Sequence, residues 1–371
     1  MYDDPTFRPT PSETVIVHMV FAIMFFQYAV RNWEDAAQQT NLNNLSNTHY
    51  HYSLSLFYQL SCSHTVQDVQ ALTLICSHLR NFPKPGASWI LCQTTMSLAI
   101  ELGLHRSPKK WASEITPNIL DVEMRKRIFW SLLAINVTLS GKLGRPMMVR
   151  YEDFDVEIPE PVDDELLSEN GLDTSRPGKC LHNIGLIAFR MVPLYMEMYS
   201  TIYAVKRNPE TYVSTVNRME TKLRAWKDNL PAELVKGEAG ENEQEGRVFA
   251  LYAQVWALEI RLLLRHPSAS ATADVNFNEE SMRICVECSR QMLGVVRQLQ
   301  KFKSLDTTWY QSAVYVMAIT TTLFAQWSKR GDTSTADLAA LKEEMDIWLD
   351  IMGDVGALLG MTPESSPLEL D

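Results

Sequence analysis

The stretch from Ser88 to Asp164 constrains the fold most, because it joins two helical patterns by a loop and closes them with a segment that cannot be helical. In SWILCQTTMSLAIELGLHRS, Trp89, Cys92, Met96 and Ala99 recur at helical spacing. Leu91, Thr95, Leu98 and Leu102 make a second stripe, so this helix is expected to be largely buried. Gly103 ends it. Thr116 and Pro117 then form an N-cap and first-turn pair, and Leu120, Met124, Ile128, Leu132, Ile135 and Leu139 trace one apolar face. That helix spans about six turns at ~3.6 residues per turn. Asp121 precedes Arg125 by four and Glu123 precedes Arg127 by four, an order that supports a helix and predicts a solvated charged face.

Beyond Ser140 the chain reads LGRP and then VRYEDFDVEIPEPVDDE. Gly144 and Pro146 forbid helix, and the acids alternate with Phe154, Val156 and Ile158. Alternation of this kind predicts a chain crossing the surface of a helical core, with every second side chain pinned into it.

The remaining sequence reads as further helices joined by loops, which predicts an all-α array of antiparallel helix hairpins with this one irregular crossing. Thr10, Pro11 and Glu13 open an apolar run with a capping box. The run is shorter than the ~20 residues a bilayer demands and carries His18 and Gln27, so it is read as a buried helix with no membrane role. His49 and His51, with Tyr50 and Tyr52, point to different sides of a helix and predict a partly exposed interfacial cluster, not a metal site. Thr65 and Asp68 start a helix, and NFPKPGAS turns it into the next. The segment SENGLDTSRPGK is expected to be a mobile loop, Pro193 to kink or divide its helix, and VKGEAGENEQEG to be a flexible acidic loop. A helix is expected from Tyr212 to Asn229. Arg265 and His266 end another, where their charge would complement its dipole. Helices over Asn278 to Lys303, Thr307 to Arg330 and Thr335 to Met352 precede a flexible tail from 360 to 371. One helical domain over 1–371 is expected, with a C-terminal helical part at about 180–352.

The formal net charge of −11 argues against a bare nucleic-acid surface, which needs a local excess of Lys and Arg. Lys109 with Lys110 and the run Arg125 to Arg127 are too short to supply one and are read as solvated. Cysteines at 62, 76, 92, 180, 285 and 288 have no dense spacing, so reduced thiols are expected. Cys285 and Cys288 form a lone Cys-x-x-Cys that core packing of a helix face explains better than zinc.

The run ELGLHRS, the spaced EMRKRIFWSLLAINVTLS, then LGRP and DFDVEIP resemble, in this order, the regulatory (middle homology) domain of fungal zinc-cluster transcription factors. The resemblance is clear from about Val66 to Asp164. It picks out Gly103, His105, Arg106, Arg127, Phe129, Trp130, Asn136, Ser140, Gly144, Arg145, Pro146, Asp155 and Pro159 as a structural motif, with no catalytic, cofactor or metal residue. It implies a nuclear regulator of metabolic or secondary-metabolite genes that senses a small-molecule effector or works through an oligomer or coregulator. Zinc and DNA contact belong to an N-terminal six-cysteine segment, which the sequence as given lacks. The family usually has aspartate at the position of Asn136; if that residue pairs with the arginine at Arg145, the ion pair is here a neutral hydrogen bond. Arg145 and the Thr116 to Ser140 helix are the expected keystones.

Two other classes compete. One is an interaction module that binds no DNA, or a truncated product that has lost its regulatory role. The other is a helical terpene-synthase-like enzyme, for which VDDELL from Asp163 to Leu167 is the sole acidic candidate and lacks a third carboxylate on its face. No nucleophile elbow, phosphate loop or His-Glu-x-x-His run nominates other chemistry.

Overall fold

The computed structural model describes residues 6, 8–31, 35–110, 118–176, 178–231, 234 and 243–359. Thr116, Pro117, most of the acidic loop after Leu234 and the 360–371 tail lie outside them. Twelve α-helices, five three-residue 3-10 turns and one two-stranded hairpin make up the regular structure among the described residues, an all-α fold. The chain divides into two compact units, residues 1–80 with 84–196, and residues 81–83 with 197–371.

The first unit holds α1 (Pro11–Arg31), α2 (Ala36–Ser55), α3 (Phe57–Ser63), α4 (Val66–Leu79), α5 (Pro85–Glu101), α6 (Ile119–Lys142) and most of α7 (Asn183–Thr201). Thr10 and Glu13 cap α1 reciprocally: the Glu13 amide donates to Thr10 Oγ1 at 3.2 Å and the Thr10 amide to Glu13 Oε2 at 2.8 Å. α1 packs on α2 and α4 through Val15, Met19, Ala22, Phe26 and Ala29, spaced as one helical face. Its other face exposes Val17, Val20, Phe21, Met24 and Tyr28, so the helix is buried on one side only. Among the described residues it is the one helix long and apolar enough to cross a membrane. His49 meets His18 of α1, Nδ1 to Nδ1 at 3.0 Å, with the Tyr52 ring 4.4 Å from that of His18. This is the interfacial cluster expected of the Tyr/His run.

Asp68 ties three helices together. Fully buried, its carboxylate accepts from Ser12 Oγ of α1, from Ser63 Oγ of α3 at 2.6 Å, and from the Thr65 hydroxyl and amide at 2.6 and 2.7 Å. Burial opposes its charge, but these donors prevail and hold its pKa below the ordinary value.

α5 and α6 end in the same way. Gly103 and Gly144 adopt left-handed φ of +72° and +62°. The next amide reaches back across each helix end: Leu104 N to Ala99 O at 2.9 Å and Arg145 N to Ser140 O at 2.8 Å. A side chain would strain at either position. α7 runs as one helix through Pro193, so the expected division does not occur. The expected loop after Asp164 contains an antiparallel hairpin, Leu167 opposite Leu172 and Ser168 opposite Gly171.

The second unit holds α8 (Tyr212–Asp228), α9 (Glu243–Arg265), α10 (Val275–Lys301), α11 (Gln311–Ser328) and α12 (Thr335–Leu358). α10 packs against α9, α11 and α12. Cys285 and Cys288 are fully buried on it, in a core with Leu262, Met292, Tyr315 and Trp348. Arg265 does not act as a solvated dipole partner. Only 6% exposed, its guanidinium meets Glu220 at 2.7 Å and lies over the Phe277 ring. His266 turns to the next segment: its Nδ1 accepts from the Ser268 amide, and burial lowers its pKa.

Asp68→Asn is expected to destabilise the protein by about 2–3 kcal/mol, since it unbalances a buried acceptor site with several donors. The unfolded aspartate titrates near ~3.9, above the folded value, so the stability that the carboxylate adds is present above that pH and lost as pH falls through the folded pKa. Melting curves should therefore show the gap between native and variant closing in acid; a gap that stays constant down to low pH would contradict the role of the charge.

Candidate functional site

The long helix α6 and the segment that crosses it form one interlocked assembly. Asn118 caps the helix, its Oδ1 accepting from Leu120 N at 2.9 Å. Two adjoining faces of α6 are buried. One carries Ile128, Leu132, Ile135 and Leu139; the other runs Glu123, Lys126, Trp130, Leu133, Val137 and Ser140, at alternating steps of three and four.

That second face places charge in the interior, which corrects the expected solvated face. Glu123 is 3% exposed and Lys126 7%. Glu123 Oε1 accepts from Arg127 Nε at 3.2 Å and from the backbone amide of Glu160 at 3.0 Å, while Lys126 Nζ lies 3.8 Å from Oε2. Lys126 also reaches Glu160, and Arg127 extends to Asp164 Oδ1 at 2.6 Å. A buried carboxylate is tolerated only when its lone pairs are answered. Here the answer comes partly from the crossing segment, so the segment is fixed by the charge it covers.

Further along, Trp130 Nε1 donates to the Glu157 carbonyl at 2.9 Å. Phe154 sits between Phe129 and Trp130, edge-on to the latter, with Val156 and Pro159 buried beside it. The alternating acids turn outward to the end of α5. Arg106 pairs with Asp155 through Nε and Nη2, at 3.2 and 3.4 Å. The Ser107 amide donates to Asp155 Oδ1 at 2.7 Å, and the Asp155 amide donates to the His105 carbonyl at 3.1 Å. Glu157 receives Ser107 Oγ and Lys109 Nζ, each at 3.0 Å. Burial opposes the Glu157 charge, yet Lys109 and Ser107 hold its pKa below the usual carboxylate range. Burial and the neighbouring Arg106 lower the pKa of His105, whose Nδ1 is buried without a hydrogen bond.

The glycine–arginine–proline bend sits at the rim of this assembly. Gly144 and Pro146 are exposed and Arg145 is half-buried, its guanidinium 4.8 Å above the Trp89 ring. The expected hydrogen bond between Asn136 and Arg145 is not formed. Asn136, 1% exposed, instead donates Nδ2 to Cys92 Sγ at 3.7 Å and leaves its Oδ1 without a partner. Ser140 is fully buried, and Gln93 Nε2 approaches its hydroxyl at 3.5 Å.

The motif residues thus fall into groups. His105, Arg106, Arg127, Phe129, Trp130, Asp155 and Pro159 meet in the clamp on the crossing segment, whereas Asn136, Ser140, Gly144, Arg145 and Pro146 belong to the end of α6 and its rim. Gly103 shapes the turn that presents His105 and Arg106. Sequence reasoning missed Glu123 and Lys126 as interior residues. The signal was present, because the stripe Trp130, Leu133, Val137 extends back by four and three residues to both. The Asp163–Asp164 pair is occupied structurally: Asp163 accepts from the amides of Glu165 and Lys179, and Asp164 pairs with Arg127.

The helical array with its clamped, acid-studded crossing segment is placed by comparison with known proteins. The "Fungal specific transcription factor domain" family matches residues 2–228, and the chain belongs to that family. It is 26% identical over 246 residues to Activator of stress genes 1 of Saccharomyces cerevisiae, covering 64% of this chain and 24% of that protein. It is also 26% identical over 210 residues to Transcriptional activator protein acu-15 of Neurospora crassa, covering 56% and 22%. With Thiamine repressible genes regulatory protein thi1 of Schizosaccharomyces pombe it shares 24% identity over 289 residues, covering 76% and 35%. The chain thus spans about a quarter to a third of the length of these relatives. No solved structure matches it.

Glu123→Gln is expected to destabilise the protein by about 3 kcal/mol, since Lys126 and Arg127 lose a buried counter-charge. Chemical denaturation measures this; a loss under ~0.5 kcal/mol would place the carboxylate outside the packing. Gly144→Ala should cost about 1 kcal/mol through its left-handed φ, read from the same curves.

Proposed function

We propose that this chain acts as the regulatory part of a fungal transcription factor in the nucleus, where it answers an effector or partner and sets the output of transcription. The family match over residues 2–228 carries the reading, and relatives named as transcriptional activators and regulators support it. DNA contact is assigned to a zinc-bearing segment outside the described fold, since the chain is acidic, with a net charge of −11. The basic run of α6 is also committed elsewhere: Arg127 holds Glu123 and Asp164, and Arg125 Nη1 donates to the Leu102 carbonyl. The reading requires no catalytic step, no cofactor in this chain and no membrane. Genes of a metabolic or secondary-metabolite pathway are the proposed targets.

A second reading, an interaction module without DNA binding, draws on one observation. α11 turns Val316, Leu323, Phe324 and Trp327 outward on one face. Such a stripe suits a protein partner.

Fusion of the full chain to an unrelated DNA-binding domain, with a reporter in a fungal host, separates these readings. The regulatory reading expects reporter output to change when the chain is attached and to change again in a Glu123→Gln fusion of equal abundance. Output identical with and without the chain across carbon and nitrogen sources would reject it in favour of the interaction module. The chain alone is expected to give no sequence-specific gel shift.

A further inference from the structure

A cavity of about 190 Å³ lies within the second unit, where the end of α7, the turn after it and the first turn of α8 meet Ala271. Its wall is polar. Lys206 and Arg207 line it, with no carboxylate among the lining residues, beside Asn208, Thr211 and Thr215. The chemistry on offer is that of donors. Asn208 Oδ1 is taken by the Glu210 amide at 3.0 Å, which leaves the amide NH₂ for the cavity. Arg207 spends one Nη1 hydrogen on the Ala269 carbonyl at 3.2 Å and keeps its remaining N–H groups. Lys206 makes no ion pair among the described residues.

The first turn of α8 lines the cavity behind a 3-10 turn, Pro209–Thr211, that Asn208 caps, so the helix end is answered and the site rests on its side chains. Thr215 lines the cavity, is 6% exposed and makes no hydrogen bond through its hydroxyl among the described residues. That hydroxyl is free to donate into the cavity it lines. Around it two cations and a side-chain amide line the same cavity.

We infer that this cavity binds a small phosphate-bearing anion, with Lys206 and Arg207 neutralising it, and Thr215 and Asn208 donating to its oxygens. A phosphate group suits the arrangement better than a carboxylate, because its several oxygens can accept from donors spread around the wall. The volume admits a phosphate and a short organic substituent, so free phosphate and a phosphorylated small metabolite share the chemistry. Binding itself does not depend on the regulatory reading; only a link from occupancy to transcriptional output rests on it.

Calorimetric titration of the full chain with inorganic phosphate, glycerol 3-phosphate, acetate and glycerol tests the inference. Saturable binding of phosphate, of glycerol 3-phosphate or of both is expected, with acetate at least about tenfold weaker and glycerol silent. Preference for the ester identifies a metabolite as the source, and preference for phosphate the free ion. Lys206→Ala and Thr215→Val should each weaken the tighter ligand about tenfold while leaving the melting temperature within a degree or so. Should Thr215→Val fold poorly, Lys206→Ala on the exposed rim carries the test alone. No saturable heat with either phosphate compound, equal affinity for acetate, or binding that Lys206→Ala leaves unchanged would each overturn the assignment.

Discussion

The buried carboxylate of Glu123 is the constraint on which the first unit depends. A charge that is 3% exposed must be answered inside the protein, and two of its partners, Arg127 and the Glu160 amide, belong to different parts of the chain. The crossing segment therefore cannot slide or lift without leaving a lone pair bare. Trp130 repeats the restriction two turns later by donating to the Glu157 carbonyl, and the Arg106–Asp155 pair repeats it at the end of α5. Of these, the exposed Arg106 pair contributes least, because solvent screens it. The interior contacts decide where the segment lies.

Asp68 performs the same task nearer the N-terminus. One carboxylate gathers donors from α1, α3 and the start of α4, so the local capping box at Thr65 becomes a tertiary joint through Ser12. Both sites use hydrogen bonds to a buried anion where a purely apolar core would permit register shifts between smooth helices. That specificity is what a scaffold needs if its role is to hold surfaces in fixed relation for a ligand or partner.

Much of this was legible in the residues. The capping boxes at Thr10 and Thr65 and the helix ends at Gly103 and Gly144 depend on neighbours close in sequence, and they stand as expected. The failures share a cause, which is tertiary context. Glu123 and Arg127 have the spacing of a surface pair, and only the presence of Glu160 overhead turns them inward. Arg145 was expected to meet Asn136, yet Trp89 offers its ring face and Cys92 takes the amide. His266 has the position of a dipole partner, but burial lowers its pKa and its ring caps the Ser268 amide instead. The cavity around Thr215 left no mark in sequence, because it is made by a turn, a helix start and a residue more than fifty positions away.

Amide hydrogen exchange of the native chain tests the central claim most directly. If buried charge fastens the crossing segment to α6, the amides of Asp155 and Glu160, bonded to the His105 carbonyl and the Glu123 carboxylate, should exchange as slowly as interior amides of α6 near Leu132. Exchange at the rate of an open loop at both positions, with α6 still protected, would show a segment that lies on the helix without being held by it.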